Sequence, residues 1–150
     1  MEFKTIISAH IKEHKDVINS FDEEIIKKIE EVSNVLVDCL SQGKTIFWCG
    51  NGGSAADSQH LAAELIGRYK NDRRPLRSIA LTTDSSVITC ISNDYSYEKV
   101  FERQIEGLGT EGDTLIGITT SGNSLNVLNA IKKAKDIGVT TICLLGKDGG

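Results

Sequence analysis

The stretch KTIFWCGNGGSAADSQH, residues 44–60, joins a short apolar run to a glycine-rich turn and then to a segment of helix-forming composition. Residues 44–49 are mostly β-branched or aromatic, which predicts a strand. Three glycines within residues 50–53 supply a sharp turn, and residues 54–66 form the predicted helix. A strand that leads through a short turn into a helix is the unit from which parallel α/β sheets are built.

The rest of the chain repeats this alternation. Apolar runs predict three further strands, at residues 76–81, 113–118 and 139–145. Apolar spacing and composition predict the other helices, at residues 6–17, 25–40, 85–91, 97–108 and 124–137. The predicted fold class is therefore α/β, with helices on both faces of a parallel sheet. In such sheets ligands bind beyond the carboxyl ends of the strands.

The chain has 150 residues, 39% hydrophobic and 25% charged, which is ordinary for one globular domain. We divide that domain, residues 1–150, into N-terminal helices at 1–43 and an α/β core at 44–150. The sequence stops at Gly150 in a turn-like stretch directly after a predicted strand. A domain rarely stops there with nothing packed behind it, so we expect further C-terminal sequence.

Charge and hydropathy exclude several classes of partner. The net charge is −4, which weighs against nucleic acid because phosphate backbones need a basic surface. The charged N-terminus does not resemble a signal peptide, and no run is long and apolar enough to cross a bilayer. The cysteines form no CxxC pair, and we expect reduced, buried thiols in a cytoplasmic protein; they are Cys39, Cys49, Cys90 and Cys143.

Residues 50–54, here called the glycine loop, come directly after the first predicted strand. Asn51, Gly52, Gly53 and Ser54 stand where a helix N-terminus offers free N–H groups and a positive dipole end to an anion. The alternative is a tight connection in which Ser54 only caps the helix. The segment lacks GxGxxG and the Lys-Ser/Thr pair of a P-loop, which weighs against a dinucleotide or ATP site.

Residues 119–124, TTSGNS, follow the third predicted strand and are called the hydroxyl loop. Four hydroxyl side chains lie within six residues: Thr119, Thr120, Ser121 and Ser124. A helix cap needs one hydroxyl, whereas several hydroxyls with backbone N–H groups can surround the oxygens of a phosphate ester. Because both loops follow strands of one sheet, the sequence predicts a phosphate site between them.

Spacing alone leaves alternatives open for several further polar residues. His60 and Glu64 share one face of the predicted helix, in a spacing that suits Zn²⁺ binding, acid–base chemistry or a plain surface pair. Arg68, four residues on, reaches a phosphate or pairs with Glu64. Asn93 and Asp94 form a turn or fix a sugar hydroxyl. His10 and His14 share the same spacing, among charges that indicate a solvated helix face.

These residues carry a resemblance to a known family. CGNGGSAADSQHLAAELIGRY, ISNDYSYEKVFERQIEGLGTEGDTLIGITTSGNSLNVLNAIKKA and LLGKDGG, in this order, resemble the phosphoheptose isomerases of the SIS type. The resemblance covers the chain from about residue 44 to its end. It implies a three-layer αβα sandwich with a flavodoxin-like parallel sheet, assembled as a homotetramer. It also implies interconversion of sedoheptulose 7-phosphate and D-glycero-D-manno-heptose 7-phosphate, the first step toward heptose precursors of lipopolysaccharide or capsule.

The resemblance also assigns roles to residues. Substrate positions of the family match the two loops and the Asn93–Asp94 pair. His60 and Glu64 match positions that bind Zn²⁺ in many members, and Glu64 also matches a catalytic acid/base. Thr119 replaces the family's serine. The family's second catalytic residue, a histidine, and a metal-binding glutamine would fall beyond Gly150.

Some relatives of the SIS type are not enzymes. They are regulators that bind another protein, such as the DnaA-initiator-associating protein, or modules that sense a sugar phosphate. The former lack the glutamate of the H-x-x-x-E pair, so Glu64 favours the isomerase.

Overall fold

A computed structural model describes residues 2–150 of the chain. They divide into two compact units, the first ending at Val35 and the second beginning at Leu36. The first unit holds helix α1, Phe3–Asn19, and the start of helix α2, Glu23–Ser41. No residue of α1 is buried. Among the described residues no helix is long and apolar enough to cross a membrane.

Local signals set the limits of α2. The Asp22 carboxylate accepts the Ile25 N–H at 2.9 Å, which satisfies a free donor of the first turn. Glu23 and Glu24 lie in that turn, where negative charge is favourable beside the helix dipole. The helix ends just before Gly43, whose positive φ of 71° suits glycine alone. The predicted helix at residues 25–40 is confirmed.

The second unit has a parallel four-stranded sheet in the order β2-β1-β3-β4. The strands are β1 Ile46–Gly50, β2 Ser78–Ala80, β3 Thr114–Thr119 and β4 Thr140–Leu145. The helices between and around them are α3 Gly53–Ile66, α4 Ser85–Asp94, α5 Val100–Leu108 and α6 Leu125–Asp136. This is the strand order of flavodoxin-like sheets, and it confirms the predicted fold class. The order reverses between β1 and β3, and ligands bind in the crevice at such a point.

Alternate residues along the strands build two apolar layers. Phe47 and Leu115 face a layer formed with α4, α5 and α6, while Ile46, Trp48 and Ile116 face one formed with α3 and the end of α2. This period of two is the geometry of an extended strand with both faces covered. The sheet is therefore sandwiched between helices, as the three-layer prediction requires.

Two glycines allow helices to approach the sheet at the switch point. A Cβ on Gly50 would lie 2.8 Å from the Ser54 carbonyl oxygen and 2.9 Å from that of Ile118. A Cβ on Gly117 would lie 2.8 Å from a methyl carbon of Val127. Because glycine has no side chain at either position, the starts of α3 and α6 can pack directly against the ends of β1 and β3.

Two sequence predictions need correction. The predicted helix at 97–108 begins as a separate 3₁₀ turn, Tyr97–Lys99, before α5. Of the four free cysteines, Cys39 and Cys49 are buried, but Cys90 and Cys143 are exposed, because one lies on the outer side of α4 and the other on the edge strand β4. Burial raises the pKa of the Cys49 thiol to about 12, which keeps it protonated.

Candidate functional site

A small pocket of about 180 Å³ opens at the carboxyl ends of β1 and β3. Both loops predicted to bind phosphate contribute to it. Its lining consists of Asn51, Ser54, Ile118, Thr119, Thr120, Ser121 and Ser124. The pocket therefore lies at the switch in strand order, with the glycine loop on one side and the hydroxyl loop on the other.

The hydroxyl loop concentrates its oxygens at one point. Thr119 Oγ1 lies 3.0 Å from Ser124 Oγ and 3.5 Å from Ser121 Oγ. Thr119 is 5% exposed, so its hydroxyl is held in place by the protein. Ser124 occupies the N-cap position of α6 but makes no side-chain cap. Its hydroxyl lies instead beside that of Thr119, inside the loop.

The glycine loop also leaves its helix without a side-chain cap. Gly52 is the N-cap residue of α3, with a φ of 56°, a conformation that favours glycine. Ser54 lies inside the helix and lines the pocket instead, so the alternative that Ser54 caps α3 is wrong. Two uncapped helix N-termini next to one pocket favour an anion there, because their N–H groups and dipoles are positive.

Two residues that the sequence analysis did not single out contact the glycine loop. Asn126, in the first turn of α6, exchanges two hydrogen bonds with the Asn51 side chain at 2.8 and 2.9 Å. The Tyr97 hydroxyl donates to Asn51 Oδ1 at 3.0 Å. Asn126 lies two residues after the hydroxyl loop, which is a weak sequence signal. Tyr97 has none, since it is 46 residues from Asn51 in the chain.

His60 and Glu64 form the predicted pair on one face of α3. His60 Nε2 lies 3.7 Å from Glu64 Oε1, and their side chains are 74% and 37% exposed. The metal-binding and acid–base interpretations both require such proximity and access. No group of three or more His, Cys, Asp or Glu able to hold a metal occurs among the residues described. The pair alone therefore offers two potential ligands, fewer than a structural metal site needs.

The structure does not place this pair in the phosphate pocket. Glu64 is eleven residues beyond the start of α3, about 16 Å along the axis at 1.5 Å per residue. Its neighbour Leu65 accepts a hydrogen bond from the Leu76 N–H at 3.1 Å, just before β2 begins. Glu64 therefore lies toward the starting edge of the sheet, whereas the pocket is at the opposite edge.

The remaining candidates lie outside the pocket as well. Asn93 and Asp94 are exposed at the end of α4. The Asn93 amide donates to the Asp94 carboxylate at 2.9 Å and, together with the Cys90 thiol, lowers the pKa of Asp94. Arg68 is exposed just beyond α3. His10 and His14 are exposed on α1, as their interpretation as a solvated face predicts.

Comparison with known proteins identifies the relatives of this chain. The model of the SIS domain family matches residues 9–146. A phosphoheptose isomerase of Aliarcobacter butzleri is 56% identical over 95% of this chain and 77% of its own length. One from Clostridium acetobutylicum is 53% identical, over 98% of this chain and 76% of its own.

Solved structures show the same relationship. The structure of the phosphoheptose isomerase GmhA from Neisseria gonorrhoeae matches with a TM-score of 0.92 at 40% identity, covering 99% of this chain and 78% of that one. A phosphoheptose isomerase from Francisella tularensis matches with a TM-score of 0.91 at 33% identity. The chain therefore belongs to the SIS domain family and, within it, to the phosphoheptose isomerases.

Proposed function

We propose that this protein is an aldose–ketose isomerase that converts sedoheptulose 7-phosphate to D-glycero-D-manno-heptose 7-phosphate. The observation that carries the proposal is the hydroxyl-lined pocket at the strand switch point, in a chain that belongs to the phosphoheptose isomerases. The direct test is turnover of sedoheptulose 7-phosphate by the purified protein. Binding of the sugar phosphate without turnover would instead indicate a sensor or regulator.

In this proposal the pocket binds the phosphate group of the substrate. Hydroxyls of Thr119, Thr120, Ser121 and Ser124 donate to the phosphate oxygens, and the N-termini of α3 and α6 add favourable dipoles. Its small volume, about 180 Å³, suits a phosphate better than a whole heptose phosphate. The sugar chain therefore extends out of the pocket, with Asn93 and Asp94 as proposed contacts for the parts beyond it. Arg68 lies beyond the far end of α3, on the same side of the sheet as Glu64, so we propose that it contacts substrate in the pocket of another subunit.

The reaction moves a carbonyl from C2 to C1 through an enediol. A base takes a proton from C1, next to the ketose carbonyl, and an acid returns a proton to C2. We assign one of these transfers to Glu64, whose carboxylate is accessible. The family's second acid–base residue is a histidine that matches none of the three in this sequence. The product would feed a heptose precursor of a surface glycan, and the free thiols suit a cytoplasmic enzyme.

Since Glu64 and the pocket of one chain lie toward opposite edges of the sheet, association of subunits offers a way to complete the site. We propose a homotetramer in which Glu64 of one subunit serves the pocket of another. Support comes from apolar side chains left exposed in the N-terminal unit, among them Phe3, Ile7, Ile11 and Ile29. They form no core within that unit and are suited to burial against another chain.

We expect light scattering of the purified protein at micromolar concentration to give the mass of a tetramer. Replacing Ile7 and Ile11 by serine should shift this mass downward, because it removes apolar area that would be buried on association. The matched control is Ile66→Ser, an exposed isoleucine at the end of α3, outside the N-terminal unit. A monomeric wild-type protein would contradict the assembly.

Sharing of the site can be tested by co-expression. Glu64→Gln subunits retain an intact pocket, whereas Ser121→Ala/Ser124→Ala subunits retain Glu64. If each site takes one part from each of two subunits, random mixing restores about a quarter of the sites. Absence of any recovered activity in a mixed tetramer would contradict a shared site.

We also propose a Zn²⁺ ion bound by His60 and Glu64. Imidazole nitrogen and carboxylate oxygen are ordinary zinc ligands, and the two lie on one accessible helix face. The remaining ligands would come from groups outside this pair. Bound there, such an ion would polarise a carbonyl or order the site. The residues of this chain would orient the substrate and transfer the proton.

Elemental analysis of the purified protein is expected to find about one zinc per subunit, and His60→Ala is expected to lose it. His10→Ala is the matched control, because His10 also lies beside a glutamate on an exposed helix face. Equal zinc in the His60→Ala and wild-type proteins would exclude His60 as a ligand.

A further inference from the structure

A reciprocal pair of amide hydrogen bonds joins the two sides of the phosphate pocket. Asn126 Nδ2 donates to Asn51 Oδ1 at 2.8 Å, and Asn51 Nδ2 donates to Asn126 Oδ1 at 2.9 Å. Asn51 belongs to the glycine loop, and Asn126 lies in the first turn of α6, directly behind the hydroxyl loop. Asn126 is only 4% exposed. The pair therefore forms a buried bridge between the two loops.

The orientation of both amides is fixed by the backbone. The Val127 N–H lies 3.0 Å from one end of the Asn126 amide, and only an oxygen accepts there. The Asn126 nitrogen must then point to Asn51 and needs an acceptor, which is Asn51 Oδ1. The Tyr97 hydroxyl donates to the same oxygen at 3.0 Å. The Asn51 side chain is thus engaged by the protein through both its oxygen and its nitrogen.

The position of Asn51 controls the glycine loop behind it. Its carbonyl accepts the Ser54 N–H at 3.0 Å, which sets the entry into α3. Gly50, just before it, leaves no space for a side chain, because an added Cβ would lie within 3 Å of the backbone oxygens of Ser54 and Ile118. Holding the Asn51 side chain therefore fixes the distance between the uncapped start of α3 and the hydroxyls of the second loop.

We propose that Asn126 and Tyr97 are positioning residues that clamp the glycine loop against α6 and thereby preorganise the pocket for phosphate. The inference rests on the proposed function for its ligand. A loop already held in its bound form loses less conformational freedom when the ligand binds. The clamp thus acts on substrate affinity and leaves the proton transfer untouched.

The test uses two conservative variants, each with a matched control. Tyr97→Phe removes only the hydroxyl of a half-exposed ring, and Tyr95→Phe does the same at an exposed tyrosine outside the clamp. Asn126→Asp keeps the acceptor for Val127 but loses the N–H that Asn51 accepts. The matched control is Asn34→Asp, the same substitution at an exposed asparagine of α2.

We expect each clamp variant to raise the KM for sedoheptulose 7-phosphate and the Kd for inorganic phosphate about three- to tenfold, the usual effect of one hydrogen bond. The value of kcat should stay within about twofold, and both controls should match the wild-type protein. Hydrogen exchange at residues 51–54 should accelerate in the clamp variants alone. Because Tyr97 is largely exposed, its variant should fold even if Asn126→Asp does not.

Two results would overturn the clamp. One is a Tyr97→Phe protein with wild-type KM, phosphate Kd and exchange. The other is an equal effect of Asn34→Asp and Asn126→Asp, which would mean that the effect comes from the added negative charge and not from the lost hydrogen bond. Failure of the wild-type protein to turn over the sugar phosphate would instead refute the proposed function. Phosphate affinity and hydrogen exchange would still decide the clamp in that case.

Discussion

Glu64→Gln is expected to lower kcat by about 10²–10⁴-fold, the usual contribution of one general acid–base group. Glutamine keeps the size and hydrogen-bonding shape of the side chain but cannot take a proton. The fold should be unaffected, because the Glu64 side chain is 37% exposed and its carboxylate lies beside the exposed His60 at 3.7 Å. Steady-state kinetics with sedoheptulose 7-phosphate should show a lower kcat with KM largely kept.

Isotope exchange provides a second measurement on the Glu64→Gln variant. In deuterated water the wild-type enzyme should place deuterium on the carbon next to the carbonyl, and this incorporation should fall with kcat in Glu64→Gln. Glu13→Gln is the matched control, since Glu13 also pairs with a histidine on an exposed helix face. A kcat within about threefold of wild type would exclude Glu64 as the acid/base, because even a tenfold change in rate corresponds to only about 1.4 kcal/mol. Asp57, exposed in the first half of α3, and Asp94, at the end of α4, would then be the next candidates for the acid/base.

The sequence predicted the fold well because its signals are local. The run of residues 44–49, the glycines after it and the helical composition beyond them each act within a few residues. Their repetition implied a parallel sheet, and the structure has one. The meeting of the glycine loop and the hydroxyl loop at one pocket followed for the same reason, since parallel strands bring their carboxyl ends to one edge.

Features that depend on distant contacts were not predictable in this way. Helical spacing predicted that His60 and Glu64 share a face, as they do. It did not predict how far from the carboxyl ends of the strands that face lies, because the fourteen residues of α3 run back along the length of the strands. The structure places the pair outside the pocket of its own chain, which helical spacing alone could not show.

The clamp shows the same limit at the level of single side chains. Asn51 and Asn126 are 75 residues apart, and Tyr97 reaches them from a 3₁₀ turn that composition alone predicted as part of a longer helix. Only the packing of α6 and this turn against the glycine loop brings the three together. Amide and phenol groups in a sequence carry no sign of which distant partner will satisfy them.

The hydroxyl loop offers the other large effect. Replacing both Ser121 and Ser124 by alanine is expected to raise the KM for sedoheptulose 7-phosphate by about 10²–10⁴-fold, since each hydrogen bond to a charged phosphate contributes about 1.5–3 kcal/mol. The fold should persist, because Ser124 makes no helix cap and its partner Thr119 keeps its place at the end of β3.

The control is Ser85→Ala/Ser86→Ala, a serine pair at the start of α4, a helix that Asp84 already caps through the Val87 N–H. Calorimetric titration with inorganic phosphate separates the anion site from the rest of the substrate. The double variant should lose most of its phosphate affinity while its thermal midpoint matches that of the control. Unchanged KM together with unchanged phosphate affinity would place the phosphate elsewhere, because no other group could replace two lost donors in so small a pocket without some loss of binding.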